Sequence, residues 1–101
     1  MRGSYAEFVE AGVLIENEGP RDRLLLGALG LGGEAGEVID LIKKHVFHGK
    51  PMDEAHMKLE LGDVLWYIQL LCTWYGWSLS QVMEANVEKL KARYPDRYEA
   101  F

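Results

Sequence analysis

Three features of the chain predict an all-α fold. Apolar residues recur at helical spacing and nowhere in the strict alternation of a half-buried strand. Two capping boxes, Ser4-x-x-Glu7 and Ser78-x-x-Gln81, mark helix starts. Proline and glycine then divide the rest into segments long enough for four helices. With 101 residues, 49% of them apolar, the expectation is one domain over residues 1–101, built as a four-helix bundle.

The first helix opens at Ser4 and carries Tyr5, Phe8, Val9 and Val13 on one side. Asn17-Glu18-Gly19-Pro20 should end it and start the second, since proline suits a first helical turn. The second should run from about residue 21 to about residue 46, stopping before His48-Gly49-Lys50-Pro51. Asp53 can cap a third helix reaching about residue 74, with Gly76 as its stop. The fourth begins after Ser78 and ends near Tyr94-Pro95.

Composition narrows the function classes. A net charge of −5 with no Lys/Arg block argues against nucleic-acid binding. No apolar stretch approaches the ~20 residues of a membrane span, and no signal peptide is visible. The single cysteine, Cys72, lies in an apolar run. It reads as a small buried hydrophobe in a reducing cytoplasm.

Two oddities sit on the middle helices. Gly27, Gly30, Gly32, Gly33 and Gly36 all fall inside the second, where each interior glycine costs about 1 kcal/mol relative to alanine. Such a cluster implies close approach by a helix or a ligand, or a local break. Residues 64–74 are apolar almost all round the third helix. Three other helices can hardly cover them, and a homo-oligomer, dimeric or tetrameric, accounts for the surplus. The string Gly30-Leu31-Gly32-Gly33-Glu34-Ala35 imitates a dinucleotide-binding fingerprint. No βαβ unit surrounds it, so that reading fails.

The chemistry is concentrated in two acidic pairs, Glu34-x-x-Glu37 and Glu60-x-x-Asp63. An i,i+3 spacing puts both members of a pair on one helix face. Two carboxylates 4 Å apart repel by about 4 kcal/mol at an effective dielectric of 20, so four converging ones demand protons or a cation. Oxygen ligands favour a hard divalent ion. Otherwise the pairs are solvated, with Lys43, Lys44 and Lys58 as surface partners. His45 and His48 lack the thiolates that would complete a zinc site, and His56 reads as exposed. On the fourth helix, Asn86, Lys89 and Arg93 share a face suited to phosphate oxygens, with Lys44 as a further cation.

The blocks Gly32-Gly33-Glu34-Ala35-Gly36-Glu37-Val38, Lys43-Lys44, Glu60-Leu61-Gly62-Asp63-Val64-Leu65-Trp66-Tyr67, Asn86-Val87-Glu88-Lys89-Leu90 and Arg93-Tyr94-Pro95 closely resemble the MazG-like nucleotide pyrophosphohydrolases. The resemblance implies an oligomeric all-α enzyme that uses Mg²⁺, with Mn²⁺ as a substitute, to split a nucleoside triphosphate into monophosphate and pyrophosphate. It assigns the metal to Glu34, Glu37, Glu60 and Asp63. It points Lys44, Asn86 and Lys89 at the phosphates, with Arg93 and Tyr94 following. Water attack at the α-phosphorus also needs a proton acceptor. Either Glu34 or Glu37 fits that part, and the sequence leaves the choice open. Two alternatives remain: a base-selective relative of the all-α dUTPases and dCTPases, and a non-catalytic helical oligomerisation module.

Overall fold

The computed structural model describes residues 3–13 and 19–101. They form α1 (Tyr5–Ala11), α2 (Pro20–His48), α3 (Glu54–Tyr75) and α4 (Leu79–Arg93). No strand occurs among the described residues, so the all-α expectation holds. The glycine string that imitates a dinucleotide loop lies inside α2.

Local chemistry sets the helix ends. Both capping boxes form: Ser4 Oγ accepts from Glu7 N at 3.2 Å, and Ser78 Oγ accepts from Gln81 N at 3.1 Å. Asp53 caps α3 by accepting from His56 N at 3.0 Å. α2 and α3 both stop at a left-handed glycine, Gly49 (φ 69°) and Gly76 (φ 76°), where a side chain would be strained. In each case the next residue's N–H reaches back into the helix: Lys50 to Lys44 O, six residues back, at 3.2 Å, and Trp77 to Cys72 O, five residues back, at 2.9 Å. α2 therefore runs two residues past its expected end.

α1 is shorter than expected. It stops at Gly12, whose Cα lies against the Trp66 ring; a Cβ there would come within 3.2 Å of the indole. Val13 lies beyond the helix, and Leu14 to Asn17, through which α1 was expected to continue, lie outside the described residues.

Among the described residues, α2 and α3 make the most extensive contact, α1 lies against α3, and α3 is the one helix that α4 touches. The register of the α2–α3 pair is fixed by glycine. A Cβ on Gly27 would collide with Leu71, and one on Gly30 with the Tyr67 ring. Residue numbers rise along α2 as they fall along α3, so the pair is antiparallel. The core is thin: Val9, Leu70 and Cys72 are the buried apolar residues among those described. Buried Gln69 donates to Thr73 Oγ1 at 3.1 Å. The radius of gyration is 16.7 Å, against about 13 Å for a compact chain of this length.

The surplus apolar surface is not where residues 64–74 suggested. α1 and α2 cover most of that stretch, leaving Leu65 exposed. A stripe of uncovered residues lies on the outer face of α2, where Leu25, Leu29, Ile39 and Val46 are exposed, Leu29 by 72%, and further apolar side chains such as Leu59 and Leu61 are exposed on α3.

Candidate metal centre

The antiparallel register carries the acidic pairs toward each other. Four residues on from Gly30, Glu34 faces α3; four residues back from Tyr67 stands Asp63, with Glu60 one turn before it. One carboxylate oxygen from each of Glu34, Glu60 and Asp63 lies within 4.8 Å of the other two. Glu34 and Glu60 are half-buried and Asp63 is exposed. At that spacing each pair of ionised groups repels by about 3 kcal/mol or more at an effective dielectric of 20. Partial desolvation, then the charges of Asp63, Glu60 and Glu37, push the Glu34 carboxyl up from its ordinary value. Three convergent carboxylates with an open side suit a hard divalent cation that keeps some coordination positions for water or phosphate.

Glu37 is not in this group. The register sets it level with Glu60, yet its side chain is exposed and its carboxylate is not among the three that converge. Lys44 stands ten residues along α2 from Glu34, about 15 Å at a helical rise. Its ammonium pairs with Asp40 Oδ2 at 2.8 Å. That bond raises the Lys44 pKa and lowers that of Asp40. Asn86, Lys89, Arg93 and Tyr94 are exposed on or just after α4. α4 meets α3 near the turn that joins them, where Val82 lies beside Cys72, Tyr75 and Trp77. Within one chain the cationic face is thus not gathered with the carboxylates.

Four further side chains neighbour the site. Trp66 and Tyr67 join Glu34 and Asp63 around an open hollow of about 290 Å³. The two rings meet edge-on at 5.0 Å. Tyr5 on α1 lies close enough to Asp63 for that charge to add to burial in raising its phenol pKa. His56 Nε2 contacts Glu60 Oε1 at 2.9 Å. The i,i+4 spacing of His56 and Glu60 was the available signal for the last of these.

Residues 25–98 match the MazG nucleotide pyrophosphohydrolase domain. The chain belongs to that family. Among curated proteins it is similar to the Gene 37 protein of Mycobacterium phage L5, with 37% identity over 71 residues. That similarity covers 64% of this chain and 60% of the phage protein. No solved structure gives a significant match. No helix of the described residues is long and apolar enough to cross a membrane.

Proposed function

We propose that this MazG-family chain hydrolyses nucleoside triphosphates to monophosphate and pyrophosphate, with Mg²⁺ or Mn²⁺ held by Glu34, Glu60 and Asp63. The supporting observation is the convergence of these three carboxylates inside the segment that matches the family. When bound, the ion supplies an acidified water and neutralises charge on the phosphate oxygens. Glu37 stands at the rim, level with Glu60 and outside the convergent set. It takes the proton of the water that attacks the α-phosphorus, while Glu34 serves as ligand. The roles left open between the two glutamates are divided in this way.

Lys89, Asn86 and Arg93 bind the outer phosphates, Arg93 as a two-pronged donor, with Tyr94 beside them and Lys44 at the end of α2. Because α4 meets α3 near the turn that joins them, at the end of α3 away from Glu60 and Asp63, we infer that these groups reach the carboxylates of a second copy. The working enzyme is then a homodimer or homotetramer. Its contact surface includes the outer face of α2, where Leu25, Leu29, Gly32, Gly36, Ile39 and Val46 fall at alternating three- and four-residue steps for most of their length. Among the described residues, nothing beyond the helix's own backbone lies within 4 Å of where a Cβ on Gly32 or Gly36 would stand, so a partner helix can approach closely there.

Chromatography of a nucleotide panel tests the reaction. NMP and pyrophosphate are the expected first products, and NDP with orthophosphate would refute the assignment. Mixing tests the shared site. Asp63→Asn and Lys89→Ala are each inactive alone. Exchanged together in a symmetric dimer, they should restore about a quarter of the sites. No recovery after verified subunit exchange would place α4 and the carboxylates of one site on the same copy.

A further inference from the structure

Glu60 is the ligand candidate with an attachment of its own. Its side chain is 16% exposed, and His56 Nε2 lies 2.9 Å from Oε1. His56 does not arrive there by chance of rotamer alone. It is the third residue of α3, and its backbone N–H is held by Asp53 Oδ1 at 3.0 Å. The first turn of the helix is therefore anchored below the imidazole, and an i,i+4 step carries the ring to Glu60. A carboxylate has two oxygens. A donor fixed on one orients the group and leaves the other available for an ion.

We propose that His56 is a positioning residue for the metal centre: its Nε2–H donates to Glu60 Oε1 and holds that carboxylate toward Glu34 and Asp63. This rests on the metal assignment above and adds a residue to it. The same geometry on a plain surface pair would matter little, because solvent screens exposed pairs. Here the carboxylate held is one of three that repel one another. Unrestrained, it would relieve that repulsion by swinging away, and the restraint keeps it convergent before an ion arrives.

The test is Mn²⁺ binding to the full chain, followed by electron paramagnetic resonance, for wild type, His56→Ala and His56→Gln. Glutamine can place an amide N–H close to the position of Nε2. His56→Ala should weaken Mn²⁺ binding by about tenfold or more, as loss of an outer partner does in metal sites. His56→Gln should recover most of the affinity. Melting temperatures in EDTA should agree among the three, since His56 is exposed. Wild-type affinity in His56→Ala, or no recovery in His56→Gln, overturns the positioning role while leaving the metal site standing. Absence of Mn²⁺ binding by wild type overturns the metal assignment and the role of His56 with it.

Discussion

The two faces of α2 carry glycine for different reasons. On the inner face Gly27 and Gly30 are filled by Leu71 and Tyr67, and no side chain fits. On the outer face a Cβ on Gly32 or Gly36 would meet nothing within 4 Å among the described residues, and their neighbours in the stripe, Leu29 and Ile39, are exposed. Both sets lose about 1 kcal/mol per glycine in helix propensity, but only the inner set recovers it inside this chain. The inner face sets the register that brings Glu34 to Asp63. The outer face is an uncovered apolar stripe broken by two small residues. One helix thus serves the site with one side and, on the proposed reading, the assembly with the other.

A charge introduced in the core, and another on the outer face of α2, separate the two most sharply. Leu70, on the α3 surface within the core, is 1% exposed. Leu70→Glu buries an unpaired carboxylate at a cost of several kcal/mol, and circular dichroism should show an unfolded chain. Leu29→Glu should instead give a smaller particle by light scattering. A wild type that is already a well-folded monomer at micromolar concentration would remove the assembly role from the outer face.

Within the site, the comparison is between the ligands and the rim. Asp63→Asn or Glu60→Gln should lower turnover by about 100-fold or more and also abolish Mn²⁺ binding. Glu37→Gln should lower turnover by a similar factor, in the range of a lost general base, while Mn²⁺ affinity stays within a few-fold of wild type. Equal loss of Mn²⁺ binding in Glu37→Gln would return Glu37 to the ligand set.

How far the sequence carries depends on which interactions are local. Capping boxes, the Asp53 cap and the two left-handed glycines depend on residues within one turn, so four helices and most of their ends were legible. α1 was misjudged at its end because Gly12 is stopped against Trp66, a contact between residues far apart in the chain. The two acidic pairs were legible as faces, since i,i+3 spacing fixes direction on a helix. Which three of the four carboxylates converge was not. That depends on the register, and the register depends on which glycines accept Leu71 and Tyr67. The placement of α4 was still less legible: periodicity gives its cationic face but not its angle to α3.

Single methyl groups sharpen the glycine comparison further. Gly30→Ala forces the Tyr67 ring aside and should cost about 1–3 kcal/mol in unfolding free energy. Gly32→Ala meets no such obstacle in the single chain. In a Leu29→Glu background, where the partner is excluded, it should stabilise by about 1 kcal/mol through helix propensity. In the wild-type background the same methyl should weaken assembly, seen as dissociation at higher protein concentration. Stabilisation in both backgrounds would mean that no helix approaches Gly32 closely.

The smallest expected effect is a pH slope, and its sign is set by Glu34. The folded chain holds the Glu34 proton above its ordinary value of 4.5, through partial desolvation and then the charges of Asp63, Glu60 and Glu37. In the window upward from 4.5 the native state therefore binds more protons than the unfolded state. Stability from this group is present below the window and is lost as pH rises through it. Melting temperature in EDTA should carry this downward contribution, and Glu34→Gln, which cannot ionise, should remove it without lowering stability at neutral pH. Mg²⁺ reverses the sign, because ligation requires the carboxylates deprotonated. The gap between melting curves with and without Mg²⁺ should widen as pH rises through the same window. A Glu34→Gln chain that melts below wild type in EDTA at pH 7 would show Glu34 held by a favourable partner. The three carboxylates would then be a stabilising surface network rather than a set of like charges awaiting a cation.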